Sequence, residues 1–355
     1  VDKRWHQLAE VLVSYSTGVR AGERVMIAMH EIATLPLVRA VYEEALRAGA
    51  YVQVQFLSDY LRHALLRWGS SEQVGWVPEI EAYGMEWADV YFGLRGAHNP
   101  FELAGIPADR LAAHQRAQGK ISALRWERTR WCLVRVPNEA LAQQAETDVE
   151  TLTDLFFAAC LRDWQAEADR WQNIAHVLEQ GGMVRVVGRE TDLTFSVAGR
   201  KWLVGDGHLN MPDGEIYTAP VSSSVNGHIY FEFPGVFGGR QVPGIRLAWQ
   251  DGRLVRATAD ENEAFLHEVL RSDAGASLVG EFAFGTNAGI NRLCRDMLLD
   301  EKIGGTVHLA LGRAYPACGG DNRSAIHWDV VKDTRYEGAL YLDDRMVFEN
   351  GQFLI

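Results

Sequence analysis

The 355-residue chain predicts an α/β N-terminal domain with a mostly parallel sheet, followed by a β-rich α+β C-terminal domain that carries a metal site. Three observations lead there. In the first half, short apolar runs alternate with amphipathic segments long enough for helices, the rhythm of βαβ units. From Met183 the runs shorten, alternate apolar with polar, and are split by Gly, Asp and Asn, as in strands joined by hairpins. The carboxylates and imidazoles that look like metal ligands all lie in this second half. The expected domains are residues 1–180, ending in a long connecting helix, and residues 181–355.

The elements follow in order. KRWHQLAEVLVSYST, residues 3–17, has apolar residues at helical spacing. GERVMIAM reads as a buried strand and LPLVRAVYEEALRAGA as a helix ending at Gly49. YVQVQF alternates as a strand, EIEAYGMEW is helical, and ADVYFGLRG and WCLVRVP are further apolar runs. No GxGxxG follows the first strand, so this architecture lacks the dinucleotide fingerprint. One helical segment is expected from about Asp148 to Gln180. There Leu152, Leu155, Phe156, Cys160, Trp164, Trp171, Ile174 and Leu178 recur at three- or four-residue steps, a core-facing stripe joining the domains. Beyond it MVRVVG, LTFSVAG, HIYFEF, IRLAWQDGRLVRATA and ALYLDDRMVFENGQFLI read as strands, with hairpin turns at QDGR and ENGQ. ENEAFLHEVLRS is the single helix among them.

Composition narrows the function. A formal charge of −12 argues against nucleic acid, whose phosphates need a basic surface. Cys132, Cys160, Cys294 and Cys318 form no CxxC, so reduced, buried thiols in a cytoplasmic protein are expected. No signal peptide opens the chain, and no apolar run approaches the ~18 residues of a membrane span.

Seven residues stand out. Glu215 sits in NMPDGEIYTAP, where Pro212, Gly214 and Pro220 constrain the backbone and Asp213 competes for the same role. Glu281 precedes the alternating run FAFG. Glu301 lies in LLDEKIGG beside its competitor Asp300, and His308 lies in the strand-like TVHLALG. His327 and Asp329, two apart in AIHWDVV, share one strand face because side chains alternate with period two. Tyr315 adds a phenol. Taken singly, each has an ordinary reading as an ion pair, a solvated acid or a core histidine. Together they exceed the needs of one structural zinc and approach those of two adjacent divalent ions with positions open for water and substrate. His208 lies close enough to Glu215 in sequence to line the same site, while His30 and the other histidines look dispersed. HExxH, GxSxG and GxxxxGK[ST] are all missing, which excludes the helix-borne zinc protease, the nucleophile elbow and the phosphate-cradling loop.

From about Thr191 to Val331 the chain resembles the metallo-aminopeptidase family of aminopeptidases T, S and PepS, the thermophilic-type leucyl aminopeptidases. TDLTFSVAGRKW, NMPDGEIYTAP with SSSVNGHIYF, GEFAFGTNAGIN, LLDEKIGGTVHLALGRAYP and SAIHWDVV carry the resemblance; YSTGVRAGERVMI extends it more loosely. It implies a two-metal site of Glu215, Glu281, Glu301, His308, His327 and Asp329, with Tyr315 as ligand or transition-state donor. It further implies cobalt, zinc, manganese or magnesium as the metal, peptides with a free N-terminus as substrates, and a homodimer. The loop between Tyr315 and His327 is shorter than in the longer members, and the Glu301–His308 spacing varies within the family.

On this reading Glu281 bridges the metals, Glu215 or Glu301 moves the proton to the leaving amine, and Tyr315 steadies the oxyanion. The alternative is a one-iron ring-cleaving dioxygenase of the dihydroxypyridine type using His308, His327 and Asp329. Glu215 and Glu301, superfluous to a single iron, favour the peptidase.

Overall fold

Four of the apolar runs lie side by side in the computed structural model, which describes residues 2–355. They are β1 (Arg24–His30), β2 (Tyr51–Leu57), β3 (Val90–Arg95) and β4 (Arg130–Arg135), paired in parallel in the order β2-β1-β3-β4. A short strand, Asn210–Met211, continues the sheet beyond β4. Parallel strands need crossovers, and the helices Leu35–Arg47, Glu79–Trp87 and Ala108–Arg128 supply them. β3 and β4 are buried along nearly their whole length, which explains their continuous apolar runs; the edge strand β2 carries glutamines and exposed residues.

This sheet and its helices form one unit, which extends to Arg162 and includes Gly207–Pro212; the second unit holds Asp163–Asp206 and Asp213–Ile355. The division falls where the expected Asp148–Gln180 helix breaks. Two helices occur instead, Val149–Cys160 and Trp164–Leu178, and Asp163 caps the second by accepting the Ala166 N–H at 3.1 Å. The apolar stripe runs on through the break, which is why periodicity alone missed it. Ala108–Arg128 was also not legible: its buried stripe is His114, Ala117, Ile121 and Arg125, only two of them apolar.

The second unit contains an eight-stranded antiparallel sheet running from Arg253–Thr258 at one edge to Gln352–Phe353 at the other. Its hairpins at Asp251-Gly252 and Asn350-Gly351 have positive φ at both turn residues, the backbone such turns require. A second sheet has five strands: β5 (Leu203–Gly205), β6 (Glu215–Thr218), β7 (Val279–Gly285), β8 (Thr306–Gly312) and β9 (His327–Lys332). They are antiparallel in the order β9-β8-β7-β6-β5.

The core between these sheets is aromatic. Phe282 meets Phe195 at 5.0 Å, and Phe284 meets Phe348 at 5.3 Å and Phe353 at 4.8 Å between ring centroids. Each such side chain stabilises the sheet pair by about 1.5–3 kcal/mol through burial. Because strand side chains alternate, anchoring Phe282 and Phe284 inward turns Glu281, Ala283 and Gly285 to the opposite face.

Candidate metal centre

That opposite face collects the acids and imidazoles. Glu281, Ala310 and Asp329 lie in one cross-strand row, Ala283 pairs with His308, Gly312 with His327, and Gly285 with Glu215. The residues between the functional side chains are Ala or Gly, so carboxylates and imidazoles project into space no large side chain fills. Gly285 has a further reason to lack a Cβ: one would strike the backbone oxygen of Ile303. Its absence lets the Glu301–Ile303 segment pass against the sheet.

Glu281 stands at the centre. Its Oε1 lies 3.3 Å from His308 Nε2, and its Oε2 lies 3.5 Å from His327 Nε2. Asp329 Oδ1 is 3.5 Å from His327 Nε2 and 3.9 Å from His308 Nε2, while Glu215 Oε2 is 3.6 Å from His308 Nε2. His327 Nδ1 lies 2.7 Å from the carbonyl oxygen of Arg313, which can only accept; the ring therefore donates there and aims the Nε2 lone pair at the carboxylates. Tyr315 joins them, its ring 5.1 Å from that of His327 and 5.9 Å from that of Tyr217.

Electrostatically the cluster lacks positive charge. Burial raises Glu215 and Glu301 to about 7, with repulsion from neighbouring carboxylates adding to it and Lys302 opposing it. Burial raises Glu281 as well. At His308 burial resists charging, but Glu281, Asp329 and Glu215 outweigh it and lift the imidazole to about 9. Burial, then the nearby carboxylates, push the Tyr315 phenol up, so it stays a donor. Glu281 Oε2 and Asp329 Oδ1 are buried without a hydrogen-bond donor. A converging set of carboxylates and imidazoles with orphaned acceptors suits divalent cations, which supply the missing charge and occupy those lone pairs.

Both competitors for the carboxylate roles have partners of their own. Asp300 is buried and accepts the Cys294 N–H at 2.6 Å, whereas Glu301 and Glu215 both face the Lys302 ammonium. Asp213 accepts the Gly214 N–H at 3.0 Å and lies 3.9 Å from Lys302 Nζ. His208 packs its ring on Tyr15 within the first unit. The Cys318 thiol, packed with Ala219 and Ala314, is pushed up to about 12 by burial, which keeps it protonated.

Two features escaped the sequence. Lys302 is fully buried, with its ammonium against Glu301 and 3.6 Å from Glu215 Oε1; lysine is read as solvated by default. The second is another group able to hold a metal ion, His30, Glu31 and Asp59, in the first unit. Metal-capable groups therefore occur in both units, which corrects the expectation that only the C-terminal domain carries them. His30 ends β1 and Asp59 opens the helix after β2, so sheet pairing, invisible in the sequence, unites them.

Comparison with known proteins bears on the family and the fold. The profile of a family described as thermophilic metalloprotease (M29) matches residues 1–353. Aminopeptidase PepS of Streptococcus thermophilus is 24% identical over 98% of this chain and 97% of its own length. Wild-type AmpT from Thermus thermophilus superposes with a TM-score of 0.88 at 24% identity, covering 99% of both chains. The 2,5-dihydroxypyridine dioxygenase of Pseudomonas putida KT2440 follows with a TM-score of 0.63 at 14% identity, covering 99% of this chain and 96% of its own. At these identities the superpositions establish the fold.

Proposed function

The chain belongs to the thermophilic metalloprotease family M29, and from that membership we infer that it is a metal-dependent aminopeptidase, a hydrolase that removes N-terminal residues from peptides. The observation that carries the reading is Glu281, which offers one oxygen to each of two imidazoles at 3.3 and 3.5 Å. Glu215, Glu281 and His308 are assigned to hold one divalent ion, and Glu281, His327 and Asp329 a second. Ions held by these residues would supply a water acidic enough to ionise near neutral pH and would polarise the scissile carbonyl.

The remaining steps belong to the side chains. Glu301, beside Glu215 and Lys302, is assigned to accept the proton of the attacking water and return it to the departing amine. Tyr315, held protonated, donates a hydrogen bond to the oxygen that gains charge. Glu215 and Glu301 also weigh against a single-iron dioxygenase, which His308, His327 and Asp329 would satisfy alone.

The test is to strip the protein with chelator and restore Co, Zn, Mn or Fe(II) singly. Leucine amide-type substrates with free and acetylated amines are then assayed beside oxygen uptake with a dihydroxypyridine. Metal-restored cleavage of the free-amine substrate alone is the expected result. Iron-dependent oxygen uptake without peptide cleavage overturns the reading.

A further inference from the structure

We propose that Lys302 is a positioning residue: its buried ammonium engages the Glu301 carboxylate and keeps it out of the metal-ligand set. The inference rests on the two-metal reading and assigns a role within it.

The geometry separates Glu301 from the other acids. Glu215, Glu281 and Asp329 each turn an oxygen to an imidazole, at 3.6, 3.3 and 3.5 Å. Glu301 instead turns Oε1 to the ammonium of Lys302. An ammonium only donates, so it occupies an acceptor position of that oxygen. Glu215 spans both partners, with Oε2 towards His308 and Oε1 3.6 Å from Lys302 Nζ.

Lys302 is also fixed in place. Its carbonyl accepts the Asn287 N–H at 3.1 Å, and the Asn287 carbonyl accepts the Gly304 N–H at 3.1 Å. The Asn287 side chain donates to the Asp213 backbone oxygen at 2.7 Å, tying in the third carboxylate near the ammonium. A fully buried lysine is tolerated only with counter-charges, and here Glu301, Glu215 and Asp213 provide them. Counting Glu281 and Asp329 as well, the five carboxylates are balanced by one ammonium and two divalent ions.

Two variants test the assignment, with kcat and KM on leucine amide, bound metal by atomic emission, and Co2+ affinity of the stripped protein by calorimetry. In Lys302→Met, Glu301 is released to the metals: kcat should fall about 100-fold with KM changed less than about threefold. The same variant should keep two ions and bind Co2+ at least about tenfold more tightly, roughly 1.4 kcal/mol. Glu301→Gln should lose activity to a similar extent yet keep both ions, with Co2+ affinity within about threefold of the parent. A Lys302→Met enzyme with unchanged kcat, or a Glu301→Gln protein that loses an ion, overturns the proposal. Should Lys302→Met not fold, the metal count of Glu301→Gln decides alone. If the parent cleaves no peptide with any metal, the peptidase reading fails, while the Co2+ affinities still decide the role of Lys302.

Discussion

The two acid–imidazole groups are made of the same residue types and differ in what answers their charge. In the first unit, Glu31 accepts the Asp59 N–H at 2.6 Å and the Ser58 hydroxyl at 3.1 Å, and Asp59 pairs with Arg62 at 2.9 Å. Burial opposes the ionisation of Asp59, but His30, Arg62 and Arg135 hold its carboxyl below the usual range. In the second unit, Glu215, Glu281 and Glu301 are raised, and acceptor atoms of Glu281 and Asp329 are buried without donors. Asp59 Oδ1 and His30 Nε2 are also buried without a hydrogen-bond partner, so the two groups differ in the direction in which their carboxyls are shifted. Proximity of acids and histidines defines a possible site, and on the reading proposed above the raised carboxyls mark the second-unit group as the working one.

The largest effect expected from breaking this contrast is at Glu281. Glu281→Gln should lower kcat by roughly 10³-fold or more and reduce bound metal below two ions, with the melting temperature almost unchanged. Full activity in that variant would remove the bridge from the account. Tyr315→Phe should cost roughly 10²-fold in kcat with KM nearly constant, because the phenol acts on charge that develops during reaction. A change confined to KM would instead make it a binding residue.

The pH dependence sharpens the comparison further. In the metal-free protein at neutral pH His308, at about 9, carries a proton, and Glu215 and Glu301, at about 7, do so in part. A cation displaces these protons, so affinity should fall as pH falls, by roughly tenfold or more from pH 8 to 6. Calorimetry in buffers of differing ionisation enthalpy should show net proton release at pH 7; proton uptake would contradict the sign. The smallest effect belongs to the first unit: Asp59→Asn should leave metal content and kcat within about threefold of the parent, while stability drops by about 1 kcal/mol.

Much of the second unit's site could be read before the structure, and for a stated reason. His327 and Asp329 share a face through strand periodicity alone, and the alternation of Glu281 with Phe282 and Phe284 separates site from core. What lay hidden depends on pairing between distant segments. Lys302 gained meaning only when Gly285 let its segment approach the sheet, and the choice of Glu301 over Asp300 turned on one backbone N–H from Cys294. The His30 group was invisible because its members meet across two parallel strands. The helix break at Asp163 was masked by an apolar stripe that runs through it.

The most direct test of the central claim is anomalous diffraction from crystals loaded with cobalt or zinc. The account predicts two anomalous peaks flanking Glu281, one beside Glu215 and His308 and the other beside His327 and Asp329, with none at His30, Glu31 and Asp59. A single peak held by His308, His327 and Asp329 without Glu215, or a metal in the first unit, would contradict it.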